Sequence, residues 1–183
     1  MTSPDLETRL RRALRDVPDF PTPGILFKDI TPVLADPVLL REVIAALVAP
    51  HVGVGITHVV AVESRGFLFG VPMALELNVA FAPARKPGKL PWRTIRESYA
   101  LEYGHNELEL HEDALRLSPE RDTPARVLVV DDVLATGGTA AATCRLVQRL
   151  GGEVVGVAVP VELGFLNGRQ QLGGCPVTTL LTF

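Results

Sequence analysis

Apolar residues along the chain fall into two alternating patterns, one of helical and one of strand period. Leu6, Leu10, Leu14 and Val17 recur about one helical turn apart, with Arg and Glu between them. Ser3-Pro4-Asp5 supplies a capping hydroxyl, a proline suited to the first turn and an acid near the helix's positive end. One helix running to Val17 is therefore predicted. Pro18, Pro21 and Pro23 in the stretch 18–24 (PDFPTPG) end it. A second helix is expected after Asp36-Pro37, carrying Leu39, Leu40, Val43, Ile44 and Leu47, and closed by Pro50, Gly53 and Gly55.

From there the period changes. Residues 58–62 (HVVAV) read as a buried strand, followed by Glu63-Ser64-Arg65-Gly66 and a helix to Leu77. Residues 79–84 predict another strand. A long polar stretch, 85–104, precedes an alternating and half-exposed strand at 107–111 (ELELH). Residues 127–130 (VLVV) are the cleanest buried strand. They lead through Asp131-Asp132 and a Thr-Gly-Gly turn into a helix over 139–150 that stops at Gly151-Gly152. Residues 154–161 and 177–181 complete the set. Buried strands alternating with helices predict an α/β fold with a parallel-centred sheet flanked by helices on both faces. No repeat or linker divides the chain, so one domain over 1–183 is expected.

Composition narrows the function classes. With 18 basic and 21 acidic residues the net charge is −3, which argues against a coat for nucleic acid or anionic membrane. No apolar run has the length of a membrane span, and residues 1–15 are polar and charged, without a visible secretory signal. Cys144 and Cys175 form no CxxC pair. His51, His58, His105 and His111 lack zinc-ligand spacing. A soluble, reduced, cytoplasmic protein is expected. Of the 18 basic residues only Lys28, Lys86 and Lys89 are lysine, and they fall in two short segments.

The most informative segment is 127–142, VLVVDDVLATGGTAAA. Ligands of open α/β sheets bind beyond the carboxyl ends of strands, and this strand ends in two carboxylates. The turn that follows, Ala135, Thr136, Gly137, Gly138 and Thr139, leads straight into a helix. Its glycines permit positive φ, its N–H groups converge, and the threonines add hydroxyl donors, so it suits a phosphate. It is neither a P-loop nor a GxGxxG fingerprint. Asp131 and Asp132 beside a phosphate site make sense if the ligand has a phosphate at one end and a vicinal diol in the middle, as a ribose 5-phosphate has.

This segment resembles the 5-phosphoribosyl-1-pyrophosphate (PRPP) motif of the type I phosphoribosyltransferases. Residues 20–34 (FPTPGILFKDITPVL), 63–70 (ESRGFLFG) and the pair 85–91 (RKPGKLP) and 98–104 (SYALEYG) are similar to those of the adenine branch of that family, in the expected order. The resemblance implies the type I phosphoribosyltransferase fold with a hood at about 18–35, a flexible lid at about 85–111 and the PRPP motif at 127–142. It implies conversion of adenine and PRPP to AMP and pyrophosphate, with Mg²⁺ carried on PRPP and no metal cage from the protein alone, in a homodimer.

It also assigns residues. Asp131 and Asp132 would hold the ribose, and 135–139 the 5-phosphate. Glu63, Ser64, Arg65 and Gly66 would form a pyrophosphate loop with a cis peptide at Glu63-Ser64, joined by Lys86, Lys89 and, from the lid, Tyr103. Glu102 would be the acid/base residue. Leu26, Phe27 and Lys28 would cover the adenine from the hood, with Leu163 on its far side. From residue chemistry alone, ESRG also fits a surface arginine after a strand, and 85–96 a solvated charge run. Another purine as substrate stays open, as does a PRPP-sensing regulator. A regulator would need a DNA-binding or partner module, and none is recognisable.

Overall fold

In the computed structural model, which describes residues 4–101, 104–116 and 123–183, the apolar runs become the strands of a parallel sheet. In chain order the first elements are α1 (Pro4–Ala13), β1 (Arg15–Pro18), β2 (Leu26–Asp29), α2 (Thr31–Ala35) and α3 (Pro37–Val48). Next come β3 (His58–Val62), α4 (Gly66–Leu77), β4 (Ala80–Ala84), β5 (Thr94–Leu101) and β6 (Gly104–His111). The last are β7 (Arg126–Val130), β8 (Val133–Leu134), α5 (Gly138–Arg149), β9 (Glu153–Glu162) and β10 (Val177–Thr182).

The central strands lie in the order β10-β9-β7-β3-β4, all parallel, with β8 beside β9. Every residue of β3 is buried, as expected of a strand covered on both faces. Alternate residues serve different layers. Val59 and Ala61 pack with Leu10, Leu47, Phe69 and Met73 of the N-terminal helices and α4. Val60 and Val62 pack instead with Leu146 and Val147 of α5 and with Leu108 and Leu110 of β6. The crossovers from β3 and β7 thus run over opposite faces and in opposite directions along the sheet. That makes the gap between their carboxyl ends a topological switch point, where ligands of such sheets bind.

The second helix forms as predicted, with Asp36 capping it by accepting from the N–H groups of Val38 and Leu39 at 3.0 Å. The first is shorter than its periodicity suggests. It ends at Ala13, and Val17 lies in β1, which pairs antiparallel with β2 so that Val17 faces Phe27 and Asp16 faces Lys28. A β-branched residue immediately before a proline is disfavoured in the α region, which favours the strand. The polar stretch 85–104 hides β5, which forms a hairpin with β6. Glu97 of β5 is paired with Arg145 and Arg149 of α5, and Ile95 and Tyr99 pack against the core beneath, so charge supplements a short apolar contact. Alternation also placed Glu109 at the surface, yet it is 2% exposed. The Gly88 N–H donates to its carboxylate at 3.1 Å and Arg96 Nε lies 2.6 Å from Oε1, while its backbone pairs with that of Arg85.

Candidate active site

Two strand-to-helix turns meet at the switch point. One follows β3 and carries Glu63, Ser64, Arg65 and Gly66; its Glu63-Ser64 peptide is cis, at the position the family resemblance implies. The other follows β7 and carries Asp131 and Asp132. They approach so closely that a Cβ at Gly66 would lie 3.0 Å from both Asp131 Oδ1 and the Val130 carbonyl oxygen, a tight fit that favours glycine there. Between them lies a cavity of about 320 Å³ whose lining includes Glu63, Ser64, Arg65, Lys86, Tyr99, Asp131, Asp132 and Thr139.

The ionic arrangement inside is specific. Arg65 donates from Nε to Asp132 Oδ2 at 2.5 Å, and Asp132 is 4% exposed. The Asp132 N–H donates to Asp131 Oδ1 at 2.9 Å. Burial, and then the Asp132 carboxylate beside it, push the Asp131 carboxyl well above the usual carboxylate range. Glu63 shows the opposite balance. Burial pulls its carboxyl up, but hydrogen bonds from Arg85, the Lys86 N–H and Lys89 outweigh burial and hold it below its ordinary value. Glu63 thus ties down the basic segment that carries Lys86 and Lys89.

The 135–139 turn leads directly into α5. Gly137, with φ +85°, caps α5, and its carbonyl accepts the Ala141 N–H at 2.9 Å. A Cβ on Gly137 would run into the carbonyl oxygen of Gly168, and one on Gly168 into that of Ala135, so two backbones touch here without side chains. Thr139 donates from its hydroxyl to the Tyr99 hydroxyl at 3.2 Å, joining the turn to the β5–β6 hairpin.

At the β1–β2 pair, Phe27 sits edge-on to Phe20 at 5.1 Å, and the Arg65 guanidinium lies 5.1 Å from the Phe27 ring centre. Leu26 is exposed. Lys28, next along β2, turns to the opposite face and pairs with Asp16 at 2.6 Å. Leu163 follows β9 and is half-buried, its N–H bonded to the Leu134 carbonyl. Glu102 and Tyr103 lie outside the described residues; the hairpin strands on either side end at Leu101 and begin at Gly104. Among the described residues no three His, Cys, Asp or Glu side chains gather to hold a metal ion; the carboxylates lining the cavity are those of Asp131, Asp132 and Glu63.

Sequence reasoning missed Tyr99 and Glu109. Tyr99 stands inside SYALEYG, a segment already singled out, but nothing in residue chemistry points it at Thr139. Glu109 gave no signal, because its burial depends on Gly88 and Arg96 folding over it.

A family model described as the phosphoribosyl transferase domain matches residues 39–171. An adenine phosphoribosyltransferase of Myxococcus xanthus is 61% identical over 183 residues, covering 100% of this chain and 96% of that protein. A crystal structure of adenine phosphoribosyltransferase from Rhodothermus marinus superposes with a TM-score of 0.90 at 52% identity, covering 98% of this chain and 99% of that one. The Saccharomyces cerevisiae enzyme, solved with an iminoaltritol bisphosphate and adenine, gives 0.86 at 39% identity, covering 97% and 99%. With a parallel sheet whose switch point gathers these two turns and matches of this length, the chain belongs to the phosphoribosyl transferase family and, within it, to the adenine phosphoribosyltransferases.

Proposed function

We infer that this chain is a purine salvage enzyme that transfers the 5-phosphoribosyl group of PRPP to adenine, releasing AMP and pyrophosphate. The observation that carries the reading is the cavity between the two turns, where Arg65 and Lys86 supply positive charge opposite the carboxylates of Asp131 and Asp132. A phosphorylated sugar needs both: cations for its phosphates and acceptors for its hydroxyls.

In this reading Asp131 and Asp132 accept hydrogen bonds from the ribose diol. The 5-phosphate sits on the N–H groups of 135–139 and the threonine hydroxyls. Pyrophosphate lies against the 63–66 turn, Lys86 and Lys89, with Tyr103 reaching it from the lid. Glu63 contributes its peptide and its hold on the basic segment, since a carboxylate would repel a phosphate. Adenine stacks between Phe27 and Leu163, with the backbone of Leu26 and Lys28 at its polar edge. The Lys28 ammonium is engaged by Asp16, which favours its backbone over its side chain as the base contact.

The C1′–oxygen bond breaks ahead of attack by N9, leaving positive character on the ribose, and the electron pair departs with pyrophosphate. The protein acts by aligning the two reactants and stabilising that leaving group. Glu102 takes the N9 proton, and closure of the lid keeps out water that would hydrolyse PRPP. Asp131 and Asp132 suit Mg²⁺ as hard oxygen donors, but two carboxylates make no cage, so the ion would arrive on PRPP with its own waters. When bound it neutralises phosphate charge. A cytoplasmic homodimer is the expected setting.

The test is conversion of radiolabelled adenine by the purified chain with PRPP and Mg²⁺, in competition with hypoxanthine and guanine. AMP formation that the other bases do not suppress is expected. Preferential use of another purine, or no turnover, rejects the reading.

A further inference from the structure

We propose that Phe183 is a positioning residue for the base, holding both walls of the adenine site in register. The proposal rests on the assignment of Phe27 and Leu163 as those walls. Phe183 follows β10, away from the segments that carry the chemistry, yet it touches the supports of each wall. Its N–H donates to the Glu162 carbonyl at 3.0 Å and its carbonyl accepts the Gly164 N–H at 3.0 Å, so its backbone brackets Leu163 on either side. Gly164 is packed against the same strand, where a Cβ would lie 3.0 Å from Thr182 Cγ2 and 3.2 Å from the Phe183 carbonyl oxygen.

Its ring serves the other wall. Lys28 Nζ lies 4.1 Å from the ring centre and the Arg11 guanidinium 4.7 Å, both within range for cation–π attraction. Arg11 also donates to the Thr182 carbonyl at 3.1 Å. Lys28 and Phe27 are neighbours on β2 and point to opposite faces. Anchoring Lys28 beneath the hood therefore fixes the face that Phe27 presents to the cleft. Asp16, opposite Lys28 on β1, supplies the second half of the anchor at 2.6 Å. One side chain thus couples the N-terminal hood to the Leu163 turn, although they are far apart in sequence.

Phe183→Ala should raise the KM for adenine about tenfold while the KM for PRPP stays within about twofold, because only the base walls lose their support. Phe183→Tyr keeps the ring and should restore the adenine KM. A residue with a merely structural role would lower the melting temperature and the active fraction without separating the two KM values. An unchanged adenine KM in folded Phe183→Ala, a parallel rise in both KM values, or failure of the Tyr variant to restore would each overturn the proposal. Should the Ala variant not fold, Phe183→Leu keeps the apolar bulk without the ring face, and the same separation is required of it. Phe27→Ala distinguishes the levels: if it raises the adenine KM and Phe183→Ala does not, only this proposal falls. If Phe27→Ala has no effect, the base-site assignment falls with it.

Discussion

Arg65 reaches across the switch point to Asp132, Nε to Oδ2 at 2.5 Å, and so bonds the turn after β3 to the turn after β7. The same guanidinium stands 5.1 Å from the Phe27 ring centre. One cation therefore sits where the proposed base, ribose and pyrophosphate positions converge. In the free protein it neutralises a buried carboxylate. With PRPP bound, pyrophosphate oxygens would compete for it while the ribose hydroxyls satisfy Asp132.

Removing Arg65 should therefore cost stability as well as activity. Arg65→Met leaves Asp132 buried without its charged partner, and about 1–3 kcal/mol of unfolding free energy should be lost, the arginine's partial exposure keeping the figure modest. Arg65→Met combined with Asp132→Asn removes both charges and should recover most of that stability, though not PRPP use. Urea melts of the three proteins give the comparison. An Arg65→Met variant as stable as the native chain would show that the pair does not stabilise the free protein.

The contact between Gly137 and Gly168 makes a second, independent prediction. Gly137→Ala or Gly168→Ala forces two backbones apart, at a cost of about 1–3 kcal/mol by overpacking, with positive φ adding to it at Gly137. The displaced turn should bind PRPP more weakly while adenine recognition, on other elements, is spared. Calorimetry showing undiminished PRPP affinity in a folded variant would remove the turn from the phosphate site.

The parallel sheet and the two strand-to-helix turns at its switch point were legible because they depend on local features. Buried runs such as 58–62 and 127–130 can be little else, and a DD-x-x-A-TGGT turn ahead of a helix carries its chemistry in its own backbone. The cis peptide at Glu63-Ser64 followed from family likeness alone. What escaped depends on contacts distant in sequence. Val17 looked helical because its spacing fits, but its pairing with Phe27 decides its conformation. Glu109 looked exposed because alternation cannot see that Gly88 and Arg96 cover it. The strand at 94–101 looked like a charged loop because Glu97 docks through Arg145 and Arg149, a partnership invisible to hydrophobic pattern.

Glu102, assigned from SYALEYG, is tested through the chemical step. Glu102→Leu should lower the single-turnover rate by about 10²–10⁴-fold if it takes the N9 proton, with little change in substrate affinity. Glu102→Gln keeps the shape but cannot accept the proton, so an equally large loss identifies proton transfer. A small loss in Gln beside a large one in Leu points to positioning instead. Single-turnover measurement matters because a conformational step or product release can limit kcat and mask the defect. A wild-type rate in Glu102→Leu would withdraw the assignment.

Asp131 predicts a proton linkage. Burial and the neighbouring Asp132 raise its carboxyl well above its ordinary value of 3.8, which shifts the free protein toward the neutral acid. The sign for stability follows. The contribution of that neutral carboxyl is fully present below the unfolded-state value and is lost as pH climbs through the raised folded-state value, where charging a poorly solvated group opposes folding. Ligand binding works the other way. Ribose hydroxyls donating to Asp131 favour its charged form, so PRPP binding should expel a proton, and affinity should weaken as pH falls through the raised value. Asp131→Asn cannot ionise. It should be at least as stable as the native chain above that window, while losing about 1.5–3 kcal/mol of PRPP binding with the charge-assisted hydrogen bond. Because the phosphates of PRPP titrate too, the quantity to compare is proton release by the native chain and by Asp131→Asn, obtained by calorimetry in two buffers of different ionisation enthalpy. Greater release by the native chain is expected. Identical release would mean that Asp131 does not change its protonation on binding, and the ribose hydroxyls would then have to be assigned to other acceptors.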